Sequence, residues 1–405
     1  MITMHKKISV GITASLILIA ITVTFTATMI FSMNMFDSMV TTSSQRREAV
    51  YEKMLEIDKI VRQYYYEEID ETELYSSLIN GYVAGLGDPD SVFLTAEQIA
   101  YRDQQARGVF VSVGIEVSKD EFGYCIITKV YPESPAAKGE MSQGDTIIKI
   151  GDQEVASLDI EEVRNLLTGI EGESVTIEYL QDDTAKNIEL KFETVESTAV
   201  ESSHINDVYY IRVWSLWDTA PEQFSKALRD ATNTYNNGDA NGLIIDLRDV
   251  DNGHNLRVVA DMLDMMLPTG TLLSGVYKDD TKVLYTSDAN SVDIPVVLLI
   301  NANTKGYAEA FAAVMKDSDI CIDVVGVTTY GKGTLQQLIK LTDGSGVDIS
   351  VALLKPPKSG TFHETGVIPI SEYRAPDDFV LVNNPTESTD GQFAKAVEIL
   401  RSYSR

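Results

Sequence analysis

The chain has 405 residues, 44% of them hydrophobic, with 33 Lys+Arg against 61 Asp+Glu for a formal net charge of −28. That length and apolar content exceed one ordinary core, so several domains are expected. An acidic balance with no local cluster of Lys, Arg and aromatics excludes a nucleic-acid-binding role. Cys125 and Cys321 lie far apart in the apolar contexts YCII and ICID, which excludes a disulfide framework or a thiolate metal site and reads as two buried free thiols. His5, His204, His254 and His363 are scattered without HExxH spacing, and neither GxxxxGK[ST] nor GxSxG occurs. Zincin, P-loop and nucleophile-elbow readings therefore drop out, and no metal or cofactor is called for.

Ile8–Met33 contains no Asp, Glu, Lys, Arg or His. A helix of that span reaches ~39 Å, against a hydrocarbon core of ~30 Å. Lys6 and Lys7 precede it and the first acid is Asp37, so residues 1–7 are expected in the cytoplasm, 8–33 in the membrane and the bulk outside the cytoplasm. A cleaved signal peptide is the competing reading, but the run exceeds the ~7–15 residues of an h-region and lacks a clear AxA site.

Beyond the anchor, Val50, Met54, Ile57 and Val61, then Leu74, Leu78 and Tyr82, recur at helical spacing, placing a helical region over 34–105 that contains the turn Gly87-Asp88-Pro89-Asp90. A β-rich domain is expected over 106–195. Its strands are Phe110–Val117, Tyr124–Val130, Thr146–Ile150, Ser174–Leu180 and Lys186–Phe192, with a helix at Leu158–Leu167 capped by Asp159. From 196 to 376 strands alternate with helices: Tyr209–Val213, Ala220–Tyr235, Gly242–Leu247, Asn255–Met266, Val296–Ile300, Tyr307–Lys316. Runs such as GLIIDL and PVVLLI, each followed by a helix, imply βαβ crossovers and an α/β core with a mostly parallel sheet. Leu353–Pro369 reads as irregular and strand-rich, and 377–405 as an acidic tail with a helix near Phe393–Leu400.

Ser112-Val113-Gly114-Ile115-Glu116-Val117 resembles the carboxylate-binding loop of a PDZ domain. Ser134-Pro135-Ala136-Ala137 followed by Gly144-Asp145-Thr146-Ile147-Ile148 resembles that domain's next signature. A glycine there lets backbone N–H groups converge on a terminal carboxylate while a strand edge pairs with the peptide, so Gly114, Ile115, Glu116 and Val117 are the candidate peptide-binding residues.

The Gly85-Leu86-Gly87-Asp88-Pro89-Asp90-Ser91 turn, the PDZ-like insert, GLIIDLR and Tyr330-Gly331-Lys332-Gly333-Thr334-Leu335-Gln336 resemble the C-terminal processing peptidases, or tail-specific serine proteases, over about Ser43 to Pro369. The resemblance implies a serine nucleophile, a lysine base and a supporting glutamine, with protein C-terminal peptides recognised by the PDZ domain. Lys332 and Gln336, four apart, match the base and its support. The nucleophile motif T-A-S-A-S-E reads Thr304-Lys305-Gly306-Tyr307-Ala308-Glu309 here, so Gly306 stands where the reactive hydroxyl belongs, and glycine supplies none. Lys305 adds a positive charge at a helix start, where the dipole favours anions. The family's D-L-R-N-N-P-G-G turn reads Asp246-Leu247-Arg248-Asp249-Val250-Asp251-Asn252-Gly253, retaining Gly253 as the oxyanion-turn candidate.

These features favour a membrane-anchored tail-binding protein on a catalytically inactive peptidase scaffold. The alternative is an active serine-type endopeptidase with a displaced nucleophile, for which Thr304, Ser318 and Ser350 are candidates that qualify only if they meet Lys332 and an oxyanion hole. A third reading is an adaptor forming a homo-oligomer through Val50–Val61 and Leu74–Tyr82.

Overall fold

The computed structural model describes residues 20–26, 28–29, 48–119, 123–182, 184–196, 198–251, 253–288, 291–376, 379, 381 and 384–403. Most of the expected anchor lies outside the described residues; 20–26 and 28–29 are helical, and among the described residues no helix is long and apolar enough to cross a membrane. The chain divides into two units, Met1–Ile79 and Asn80–Arg405. In the first, helix α1 (48–64) carries the Arg62–Asp58 pair at 2.9 Å and leads to α2 (Glu71–Ala84), which continues into the second unit.

In the second unit, the acidic turn after α2 runs into β1 (Val92–Leu94) and α3 (Ala96–Ala106), whose start is fixed by a capping box between Thr95 and Gln98. The expected strand Phe110–Val117 is two strands. β2 (Val109–Ser112) pairs with β9 (Glu193–Glu196) as the stem of the insert, and β3 (Ile115–Lys119) joins a different sheet. The break falls at Gly114, whose φ is 81° and whose Cα presses on Ser134 so closely that a Cβ would meet that side chain at 2.1 Å. The insert's sheet then follows with β4 (Cys125–Val130), short helix α4 (Pro135–Lys138), β5 (Thr146–Ile150), β6 (Gln153–Glu154), α5 (Ile160–Leu166, capped by Asp159 as expected), β7 (Ser174–Gln181) and β8 (Thr184–Lys191). Its order is β3-β4-β5-β7-β8, antiparallel throughout. Val113, Ile127, Ile147, Val163 and Ile177 fill one core beneath it.

The α/β part holds β10 (Val200–Ile205), β11 (Val208–Val213), α6 (Ala220–Asn236), β12 (Leu243–Asp246) and α7 (Leu256–Asp264). After the hairpin β13 (Gly270–Val276) and β14 (Thr281–Ser287) come β15 (Val296–Ile300), α8 (Tyr307–Lys316) and β16 (Cys321–Gly326). β17 (Thr334–Lys340), β18 (Gly346–Lys355), β19 (Ser371–Glu372) and α9 (Gly391–Ser402) complete it. The sheet β10-β11-β12-β15-β16-β19 is parallel except for β10–β11, as the apolar runs imply. Alternate residues divide between two cores. Ile211, Ile245 and Leu298 pack with α6, α7 and α8; Tyr210, Ile244 and Val297 pack with Phe393, Val397 and Leu400 of α9. The C-terminal helix is thus a layer of this domain rather than a separate tail, because its apolar face covers the sheet. A second, antiparallel sheet, β1-β18-β13-β14 with β17 also on β18, was not foreseen. It brings β1 and the turn before it against the peptidase-like part. Cys125 and Cys321 are both buried, and burial pushes the Cys321 thiol up to about 12.

Candidate active site

Asn301–Gly306 links buried strand β15 to α8. Thr304 is fully buried, its hydroxyl donating to the Leu247 carbonyl at 2.9 Å and accepting the Asn301 N–H at 3.0 Å, so it holds this turn to the end of β12. Gly306 follows at φ 65°, ψ −121°, backbone that a side chain enters only with strain. A Cβ built there would meet only Lys332 Cδ, at 3.8 Å. The fold therefore brings the two expected dyad positions together, with open space where a hydroxyl would stand.

Glu309, fully buried on the first turn of α8, accepts the Gly306 N–H at 2.9 Å, the Gly331 N–H at 2.6 Å, the Lys332 N–H at 2.7 Å and the Thr329 hydroxyl. One carboxylate thus fastens the lysine loop to the helix start. Lys305 does not reach into the site: its ammonium stacks over the exposed Tyr330 ring, 4.0 Å from the centroid, while its N–H donates to the Val250 carbonyl at 2.9 Å.

The lysine's side chain has a partner that the sequence reading did not assign. Lys332 Nζ lies 3.0 Å from Asp90 Oδ1, and Thr334 donates to Asp90 Oδ2 at 3.2 Å. Gln336, expected to steady the amine, instead donates to Thr334 Oγ1 at 2.8 Å and Ser350 Oγ at 2.7 Å, because its place on β17 faces β18. The Ser350 N–H donates to Ser91 at 3.1 Å, and Ser91 donates to Asp88. Burial works against the Asp88 charge, but hydrogen bonds from Ser91 and Ser350 outweigh it and hold the carboxyl below its usual range. Ser318 donates to the Met315 carbonyl at 2.6 Å, at the opposite end of α8 from Gly306.

The turn after β12 carries Asp249 at φ 58°, its carboxylate accepting from Asn301 at 2.7 Å and Asn303 at 2.9 Å. Val250 is fully buried, and Gly253 packs against Leu216; Asn252 lies outside the described residues. Next to Gly253, His254 Nδ1 lies 3.0 Å from Arg102, which also donates to the buried Asp348 at 2.7 Å. His254 keeps an exposed edge, yet desolvation of the ring, aided by the Arg102 and Lys332 charges, holds the imidazole down at about 4. It is neutral near neutrality. In the sequence His254 is one of four scattered histidines; only the fold brings it against Arg102 and within range of the Lys332 charge.

In the insert, Ile115 and Val117 face the core, and Glu116 accepts a hydrogen bond from Tyr131. The N–H groups expected to converge on a carboxylate are engaged within the chain: Val113 donates to the Leu167 carbonyl at 3.1 Å and Gly114 to Ser112 Oγ at 2.9 Å. β3 is the terminal strand of its sheet among the described residues.

Residues 207–372 match the model of peptidase family S41, and residues 126–181 match that of the PDZ domain. The chain carries an S41 peptidase domain and a PDZ domain. Among relatives, the carboxy-terminal processing protease CtpA of Bacillus subtilis (strain 168) is 27% identical over 83% of this chain and 71% of its own length. CtpB of the same organism is 25% identical over 83% and 70%. The solved photosystem II D1 C-terminal processing protease shares the fold with a TM-score of 0.51 at 24% identity, covering 78% of this chain and 86% of its own. The resemblance to C-terminal processing peptidases read from the motifs therefore holds, and the S41 domain contains both Gly306 and Lys332.

Proposed function

We propose that this chain is a membrane-anchored, extracytoplasmic member of the S41 group that has lost serine-peptidase chemistry and binds protein C-terminal tails through its PDZ domain. The observation that carries the reading is Gly306 set against Lys332, 3.8 Å from a would-be Cβ to Lys332 Cδ, with no hydroxyl between them. The displaced-nucleophile alternative loses its nearest candidate, since the Thr304 hydroxyl is buried and spends its proton on the Leu247 carbonyl. Lys332 and Gln336 then persist as framework, and Gly253 as a turn residue. The terminal position of β3 supports strand addition by a peptide alongside Ile115–Val117, with Gly114 N–H exchanging its Ser112 partner for the peptide carboxylate. The uncharged run Ile8–Met33 supports the anchor, and exposed Val50, Leu55 and Ile60 on α1 support association between copies.

The test uses the detergent-solubilised full chain with an unfolded protein ending in apolar residues. No cleavage that disappears in Lys332→Ala is expected, while a peptide with a free C-terminal carboxylate binds at about micromolar affinity and its amide binds far more weakly. Lys332-dependent turnover overturns the inactive reading. Equal binding of acid and amide overturns the carboxylate clamp.

A further inference from the structure

We propose that Asp90 is a positioning residue that keeps Lys332 out of service as a base, so that the site carries a second block to peptidase chemistry, independent of the missing hydroxyl. This rests on the reading of Gly306 and Lys332 as the former dyad positions. A general base must offer a lone pair, and an amine ion-paired to a carboxylate offers a proton instead. Lys332 Nζ sits 3.0 Å from Asp90 Oδ1, with both side chains largely shielded from solvent, 25% and 14% exposed.

The clamp is built, not incidental. Asp90 stands in the tight turn that begins with Asp88, whose carboxylate accepts the Asp90 N–H at 3.0 Å. The second Asp90 oxygen accepts from Thr334 at 3.2 Å, which aims the first at the lysine. β1 then carries this turn onto β18, pairing Val92 with Asp348, so the carboxylate is delivered by an element of the antiparallel sheet. From the other side, Glu309 fixes the Lys332 backbone at 2.7 Å. The amide nitrogen of Gln336, the residue positioned to steady a free amine, is spent on Thr334 and Ser350. The Lys332 charge also acts on the neutral His254 ring, and Arg102, which touches that ring, is paired with Asp348 at 2.7 Å. Asp90 is therefore the carboxylate that reaches the ammonium.

The experiment follows acylation of Lys332 by acetic anhydride as a function of pH in the full chain, read by peptide mass spectrometry, in the wild type and Asp90→Asn. Exposed Lys358 serves as internal reference. Only the free amine reacts, so the midpoint for Lys332 is expected at lower pH in Asp90→Asn than in the wild type, with Lys358 unmoved. With each point read as an initial rate, a change of accessibility alone would scale the plateau rate without moving the midpoint. An unmoved midpoint overturns the proposal. Thr334→Val, which leaves both charges in place, provides a second variant and is expected to shift the midpoint part of the way.

In a Gly306→Ser background, adding Asp90→Asn is expected to raise Lys332-dependent cleavage at least tenfold, and equal rates with and without Asp90 count against the clamp. Cleavage by the wild type would instead remove the inactive reading, leaving the acylation midpoints to decide the role of Asp90 separately.

Discussion

At the scale of single residues, the site is held by a carboxylate rather than by its lysine. Glu309 has no solvent exposure and accepts from three backbone N–H groups and one hydroxyl, drawing Gly306, Thr329, Gly331 and Lys332 onto one helix turn. Glu309→Gln keeps the volume but turns one acceptor into a donor facing N–H groups that can only donate. An unsatisfied buried group costs about 1–3 kcal/mol, more when the lost partner is charged, so this substitution is expected to lower unfolding stability by at least ~2 kcal/mol in urea titrations. A loss below about 0.5 kcal/mol would mean the loop finds other acceptors. The glutamate was legible only as the last letter of a motif, and Lys332 and Gly306 as its neighbours in meaning. That one residue ties all three depends on β15, α8 and the loop before β17 meeting, which no local pattern encodes.

Secondary elements followed apolar spacing wherever one neighbour decided their burial. β15 and α8 stand where the runs PVVLLI and YAEAFAAVMK place them, because each is buried by the same sheet-and-helix layering that produces the run. The hairpin β13–β14 and strand β17 escaped: β14 and β17 are half exposed, so their sequences carry no strong alternation. The tail helix α9 was visible, but its attachment was not. Asp390 caps it by accepting from the Gln392 and Phe393 N–H groups, both at 3.0 Å, and reaches Arg248 at 2.7 Å, with all these groups buried. Arg248 in turn meets Asp246, which also pairs with Arg212 at 2.7 Å. Asp390→Ala strips a cap and leaves a buried guanidinium short of a partner, so it is expected to cost about 3–5 kcal/mol, read by thermal or urea unfolding. The same cluster sets an acid limit. Burial alone would raise the Asp246 carboxyl, but the Arg212 and Arg248 charges overcome it and hold it at about 2. A depressed native value means the unfolded chain binds the proton first, so this contribution is complete above about pH 4 and is lost as pH falls toward 2. Asp246→Asn should remove that part of the acid dependence, and an unchanged acid limb would assign it elsewhere.

Across the whole second unit, the PDZ insert is joined to the S41 domain by a buried charge. Lys129 of β4, only 2% exposed, places its ammonium 4.5 Å from the Trp214 ring centroid, 3.0 Å from Glu201 of β10 and 3.3 Å from the Thr198 carbonyl. Phe110 and Trp217 add an edge contact at 5.9 Å between centroids. Burial pushes the Lys129 ammonium below its ordinary value, with Glu201 opposing. The insert therefore docks at the cost of desolvating a cation, and the stability of the junction hangs on its counter-ion. Glu201→Ala leaves the ammonium buried without its carboxylate; a fully buried pair broken this way costs ~3–5 kcal/mol, and with Glu201 one-third exposed roughly 2 kcal/mol is expected. Lys129→Met keeps the length of the stem and removes the charge, so it should cost less, because well-packed apolar replacements of buried ion pairs are commonly neutral. The order of the two losses is the measurement, taken from urea unfolding followed by tryptophan fluorescence. Should Lys129→Met prove the more damaging, the attraction of the ammonium for the Trp214 ring would exceed its desolvation cost, and the junction would be held by that contact rather than by the Glu201 pair.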